Sequence, residues 1–325
     1  MAAPRFGRRR RKELASADDG KVLEVDRRGL KVHDSETGGV DIRTAEQGID
    51  VARIGGVWRA SRPIHRGLRP FVRGYAGFWD AVAIDYRVRA VPLPYVVMMI
   101  ALGEPFSDFR RLESSTPGSG PIGSLVAGLT DGPRAVEHPG GKEVIRLDLT
   151  PLGASRLFAL PMAEVANQVV ELRDVLGVRA GELTERLAGL RSWTARFDLL
   201  DAALLARAAD SLAPAPEVSR AWRLLSDSAG TIPIARVAAE VGWSQPHLTR
   251  RFTHQVGLTP KSSARILRFN RALEMLARAD TPLAEISAAC GFYDQSHLCH
   301  DFRDLAGIAP SLMMATRSEE GDFVL

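Results

Sequence analysis

The chain has 325 residues, 45% hydrophobic and 25% charged, with a net charge of +4 at pH 7 and a pI near 9.3. This is room for two domains and little more, with the composition of a soluble globular protein; no run approaches the ~18 apolar residues of a membrane span, so no membrane partner is expected. The two cysteines, Cys290 and Cys299, lie together in one segment and make no disulfide framework, which fits a reducing compartment and puts the protein in the cytoplasm.

Residues 1–56 read as a weakly ordered extension, polar and without sustained periodicity. Its basic run, Arg8 to Arg11 with Lys12, reads first as a solvated tail and second as a non-specific phosphate-binding arm. No apolar segment follows the run, so it is not a secretory signal.

A β-rich and helical domain for regulation or dimerisation is expected over 57–213. Between Trp58 and Thr150, AVAIDYRVRAV and KEVIRLDL alternate in polarity and YVVMMIAL is a buried apolar run, a pattern of strands. Turns separate them at Pro92-Leu93-Pro94, Gly103-Glu104-Pro105 and SSTPGSGPIG, so antiparallel pairing in a small barrel or sandwich is expected. The period then becomes helical. Met162 to Leu176 sets Val165, Val169, Leu172 and Leu176 on one face, and Leu183, Leu187, Leu190, Phe197, Leu200 and Leu204 follow in the same way. Pro214 and Pro216 mark a linker.

Residues 214–318 contain one pattern twice, PIARVAAEVGWSQPHLTRRFTHQVGLTP and PLAEISAACGFYDQSHLCHDFRDLAGIAP. A solenoid needs at least three such units, and there are two. Each copy reads as a helix-turn-helix. In the first, Pro233 opens a helix with Ile234, Val237, Ala238 and Val241 inside, Gly242 makes the turn, Ser244 caps the next helix, and Leu248, Phe252 and Val256 point inward before the stop at Gly257. The opposite face carries Gln245, Thr249, Arg250 and Thr253. In the second copy Pro282, Ile286, Gly291, Asp294, Leu298, Phe302 and Gly307 repeat the logic, and Gln295, Ser296, Cys299 and His300 take the exposed positions.

Such a face suits the DNA major groove, where Arg reads guanine and Gln reads adenine through paired hydrogen bonds. Gln245, Thr249, Arg250, Gln295, Ser296 and His300 are the candidate base readers; Arg251, Lys261, Arg265, Arg268 and Arg271 are the candidate phosphate contacts. From Arg236 to Arg271 seven basic residues face one acid, a net of +6, whereas from Ala272 to Pro310 two basic residues face six acids, a net of −4. The first unit is therefore expected to anchor the complex. The fold class is α+β: an N-terminal β-rich domain with packed amphipathic helices, then an all-α domain of seven helices in which a linker helix joins the two helix-turn-helix units. Residues 319–325 form a tail.

The repeats resemble the AraC/XylS family of bacterial transcription regulators. GFYDQSHLCHDFRDLAGIAP follows the family signature, and SSARILRFNRALEML lies where the family has its linker helix. The resemblance implies a regulator of transcription whose two recognition helices enter adjacent major-groove turns of double-stranded DNA, about 10 base pairs apart. It also makes RNA polymerase, a second copy of the chain and a small-molecule effector candidate partners. Many members carry Arg at the position of His300, so the second contact is expected to be the weaker. PLGASRLFALPMAEVANQVVEL and SWTARFDLLDAALL resemble the N-terminal part of some members, without implying an effector.

Three other chemistries are weighed against this. Cys290, His297, Cys299 and His300 suggest zinc, but Cys290 occupies the core position of Val241 while Cys299 and His300 point outward, so no metal or other cofactor is expected. An alkyl-acceptor enzyme needs a thiol in the N-terminal domain, which has none; His33, His65, His138, Asp80 and Asp85 form no triad spacing, and there is no Walker-type loop, so no catalytic activity is expected. A ligand-binding module is the remaining alternative, with Tyr75, Phe78, Trp79, Tyr95, Met98 and Met99 as lining or as core.

Overall fold

Alternating apolar residues in the first half of the chain pair into antiparallel ladders. A computed structural model describes residues 22–26, 29–33, 49–54, 57–80, 86–103, 109–111, 122–138, 143–277 and 281–313. Strand β1 (Val22–Asp26) pairs with β2 (Gly29–His33). Strands β3 (Asp50–Ile54), β4 (Val57–Ser61), β5 (Val72–Asp80), β6 (Tyr86–Ala90), β7 (Val96–Ala101), β8 (Phe109–Arg111), β9 (Leu125–Ala127), β10 (Arg134–His138) and β11 (Glu143–Leu149) follow. With β12 (Val169–Glu171), they form a seven-stranded sheet in the order β12-β9-β7-β11-β5-β4-β3 and a three-stranded sheet in the order β6-β10-β8. The expected extension over 1–56 thus carries β1, β2 and β3, and the large sheet starts at Asp50 rather than at residue 57 because β3 hydrogen-bonds along β4. The basic run Arg8 to Lys12 lies outside the described residues.

Cross-strand register builds the core. Val96, Met98 and Ile100 of β7 face Leu149, Leu147 and Ile145 of β11, and the next strand places Val72, Tyr75 and Gly77 opposite the same three. Each of those β7, β11 and β5 side chains other than Gly77 is at most 4% exposed, the pattern of a sheet with one face buried. Tyr75 and the Met98 side chain are therefore core residues.

The segment Met162 to Leu176 departs from the helix expected of it. It forms a 3-10 turn (Met162–Glu164), strand β12 and a short helix α2 (Leu172–Leu176). Asn167 has φ 59°, and its N–H donates to the Leu129 carbonyl at 2.8 Å, after which Val169, Val170 and Glu171 pair with β9. An open sheet edge takes the backbone bonds that a helix would have kept internal. Helix α1 (Pro151–Phe158) precedes this segment, capped by Thr150, whose hydroxyl accepts the Gly153 N–H at 3.0 Å.

Helices α3 (Val178–Gly189) and α4 (Trp193–Asp210) carry the later stripe as expected, with Leu187, Phe197, Leu200 and Leu204 buried. Helix α4 is joined to the sheet by stacked rings: Trp58 on Trp79 at 6.0 Å, Trp79 on Trp193 at 5.3 Å, and Tyr75 on Phe197 at 5.1 Å. Beside them Arg62 bonds Asp198 at 2.6 Å and Asp201 at 2.7 Å, and the Tyr75 hydroxyl meets Asp201 at 3.2 Å. Buried Arg196 turns back to the Leu187 and Leu190 carbonyls and pairs with Glu143.

After α4, helices α5 (Pro216–Asp227), α6 (Ile234–Glu240), α7 (Gln245–Val256), α8 (Pro260–Ala277), α9 (Leu283–Ala289) and α10 (Gln295–Ala306) make an all-helical region. Six of the seven expected helices lie within the described residues, and helical backbone resumes at 310–313. The two regions share one core: buried residues run from the sheet through Phe197 and Leu225 to Phe252 and Ile266. Helix α1 and the 3-10 turn pack against α7, and the Asn270 side-chain amide donates to the Pro92 carbonyl at 2.9 Å.

Gly77 lies under Trp193, so close that a Cβ there would fall 1.9 Å from the indole ring. Gly77→Ala is expected to destabilise the protein by about 1–3 kcal/mol through overpacking, read as a lower denaturation midpoint at unchanged slope; an unchanged midpoint would show that the indole has somewhere else to go.

Candidate nucleic-acid interface

Both repeats fold by the same local chemistry. Gly242 and Gly291 adopt φ of 72° and 73°, the left-handed turn that a side chain disfavours. Ser244 then caps α7 by accepting the His247 N–H at 3.4 Å, and Asp294 caps α10 by accepting the His297 N–H at 2.7 Å. Inward residues at helical spacing are buried: Leu248, Phe252 and Val256 in α7, and Leu298, Phe302 and Leu305 in α10. A ring precedes each helix, and a histidine of its first turn meets that ring edge-on, His247 on Trp243 at 4.6 Å and His297 on Phe292 at 5.5 Å.

The outer faces follow. On α7, Gln245, Arg250 and Arg251 are exposed and Thr249 is half-buried, with the Arg250 guanidinium 3.2 Å from Nδ1 of His247. Thr253, expected on the same open face, is half-buried and its hydroxyl is enclosed without a hydrogen-bond partner. On α10, Gln295, Ser296 and His300 are exposed and Cys299 is half-buried. Tyr293, 93% exposed at the entry to α10, is a surface group that the sequence pattern did not single out, because it is the residue inserted in the second turn and has no counterpart in the first.

The helix-turn-helix domain family matches residues 237–315. The C-terminal region is an AraC/XylS-type helix-turn-helix domain. The uncharacterized HTH-type transcriptional regulator YbfI of Bacillus subtilis is 34% identical over 86 residues, 26% of this chain and 31% of that protein. The probable transcriptional regulator LumQ of Photobacterium leiognathi is 29% identical over 80 residues, 25% of this chain and 32% of LumQ. Among solved structures, a transcriptional regulator with an AraC-type DNA-binding domain from Chromobacterium violaceum is 28% identical, covering 33% of this chain and 96% of that one at a TM-score of 0.30. The chain spans about a third of the length of the curated relatives it matches.

Within the AraC-type domain the five expected phosphate contacts divide. Arg251, Lys261 and Arg271 are exposed. Arg265 instead bonds Asp301 at 2.8 Å and Asp304 at 2.5 Å across to α10. Burial alone would lower its pKa, but the bonds to Asp304 and Asp301 outweigh that and raise it. Arg268 is half-buried, donates to the Gly230 carbonyl at 2.8 Å and lies over the Phe292 ring, and burial pushes its pKa down. Both partners are remote in sequence, so helical spacing on α8 alone put these two arginines on an open face.

Among the described residues no group of three or more His, Cys, Asp and Glu is placed to hold a metal ion, and no helix is long and apolar enough to cross a membrane. In the N-terminal region His65 accepts the Gly67 N–H at 3.2 Å as the cap of a short turn. Cys290 is buried with its sulfur 3.6 Å from that of Met275, and burial pushes its thiol pKa up. A thiol reacts as its thiolate. Ellman's reagent is therefore expected to modify Cys299 in the native protein and Cys290 only in denaturant; rapid reaction of both native thiols would mean that the α9–α10 unit opens.

Proposed function

We propose that the protein is a transcription regulator that binds double-stranded DNA sequence-specifically, reading two adjacent major-groove segments with α7 and α10. The observation that carries this is the pairing of two equally built, capped helices with exposed polar outer faces on one linker helix. Helix α8 has 18 residues, a length of about 27 Å at the helical rise, comparable to one turn of DNA at about 34 Å. In this reading Gln245, Thr249 and Arg250 meet base edges in one segment and Gln295, Ser296 and His300 in the next. Arg251, Lys261 and Arg271 bind phosphates and set the register. Binding is the activity, no reaction is assigned, and RNA polymerase and a second copy of the chain are the further partners.

Enrichment of random duplex DNA by the full-length protein at near-physiological salt tests this, since non-specific binding is then suppressed. A two-part motif with parts one helical turn apart is expected, and no enrichment would count against the reading. Arg250→Ala should cost about 1–3 kcal/mol at the base it reads. His300→Ala should cost less, because an imidazole makes no paired contact; equal losses would contradict the asymmetry.

A second reading, in which a small-molecule effector governs DNA binding, is favoured by one feature. A cavity of about 310 Å3 lies between the two regions, lined among others by Arg73 and Thr150 on one side and by Trp222, Asn270, Arg271 and Glu274 on the other. Two guanidiniums outnumber the one carboxylate and, with the indole, suit a small organic anion. Millimolar benzoate, citrate or inorganic phosphate should then raise the melting temperature, with the rise lost in Arg73→Ala; no shift with any of the three would count against an anionic effector here.

A further inference from the structure

Helix α10 carries two carboxylates on the side that meets α8. Asp301 is 4% exposed and Asp304 41%, and the guanidinium of Arg265 reaches both, Nε to Asp301 at 2.8 Å and Nη2 to Asp304 at 2.5 Å. The two acids are three residues apart and so share one face of the helix. Two imidazoles lie nearby: Nε2 of His297 is 3.8 Å from Asp301, and Nε2 of His300 is 3.5 Å from Asp304. Arg268, the next arginine along α8, directs Nη1 to the Gly230 carbonyl. The second oxygen of Asp301 is enclosed without a hydrogen-bond partner, so Arg265, which bonds the first, is the hydrogen-bonded offset to that charge, and Arg268 adds a through-space attraction.

The first unit has no such arrangement. Its equivalent positions are Arg251 and His254. A carboxylate on a reading helix repels the phosphate backbone, and a buried carboxylate that loses its partner is strongly unfavourable. The second unit carries both problems and the first carries neither.

We propose that Arg265 is a positioning residue for the second reading helix, drawing the carboxylates of Asp301 and Asp304 toward α8 so that Gln295, Ser296 and His300 approach the DNA, and that it is not a phosphate contact. This rests on the reading of α10 as a DNA-reading helix. It assigns to the linker helix a part in sequence discrimination at a half-site that Arg265 does not touch.

The test measures affinity of the full-length protein, over a range of salt, for the enriched duplex and for versions with one or the other half-site scrambled. If the wild type does not distinguish the intact from the scrambled second half-site, the reading of α10 fails and the proposal with it. Where it does, Arg265→Ala is expected to lose at least about tenfold of second-half discrimination, to keep first-half discrimination, and to leave the slope of log affinity against log salt unchanged. Retained first-half discrimination also reports that the variant is folded. Adding Asp301→Asn and Asp304→Asn to Arg265→Ala should restore the second half, because no carboxylate then remains to be held back. Should Arg265→Ala alone not fold, the triple variant carries the test by its salt slope. A slope lower by about one, a loss spread evenly over all three duplexes, or no recovery in the triple variant would overturn the proposal and make Arg265 a phosphate contact or a fold element only.

Discussion

Helix α8 is buried in both halves of the C-terminal region, and the rest of the domain's geometry follows from it. Its first half contributes Ala264 and Ile266 to the core that holds Leu248, Phe252 and Val256 of α7. Its second half contributes Phe269, Ala272 and Leu276 to the core that holds Leu298 and Phe302 of α10. Phe269 and Phe302 meet with ring centroids 4.7 Å apart. An uninterrupted helix of 18 residues is a stiff spacer, so the separation and relative rotation of α7 and α10 are set by one element rather than by a flexible connection. Close-packed cores transmit small changes in that spacing, and both proposed reading faces depend on it.

Charge is distributed against the symmetry of the fold. The backbone and core of the two units repeat closely, yet the first is strongly basic and the second acidic. Phosphate attraction is largely independent of sequence, whereas base contacts discriminate, so in the proposed reading the first unit anchors as well as reads and the second adds the weaker contact once anchored. The Arg265 clamp on Asp301 and Asp304 fits that division, since it moderates the acidic side of α10 without adding a cation to its outer face.

The N-terminal region is attached to this apparatus by packing. The Trp58, Trp79 and Trp193 stack and the ion pairs of Arg62 with Asp198 and Asp201 join α4 to the sheet. Helix α1 and the neighbouring 3-10 turn then rest on α7. Any change in the sheet domain that shifts α1 is therefore felt at the proposed reading helix of the first unit.

The local design of the repeats was determined by the sequence alone. Prolines at helix starts, caps at Ser244 and Asp294, left-handed turns at Gly242 and Gly291, and inward Leu248, Phe252, Leu298 and Phe302 all follow from sterics and helical period over a few residues. Strand β7, a continuous apolar run, and strand β11, alternating in polarity, were legible from patterns equally local. Tertiary structure decided what depends on partners far along the chain. Residues 169–171 carry an apolar spacing that also suits a helix, but they pair with β9 because that edge offered backbone bonds. Arg265 and Arg268 stand on a face that periodicity leaves open, and only the placement of α10 and of Gly230 turns them inward. Asp301 aligns with the exposed Arg251 and is nonetheless buried. Periodicity assigns a side chain to a face of its own helix; which face meets solvent is settled by what packs against it.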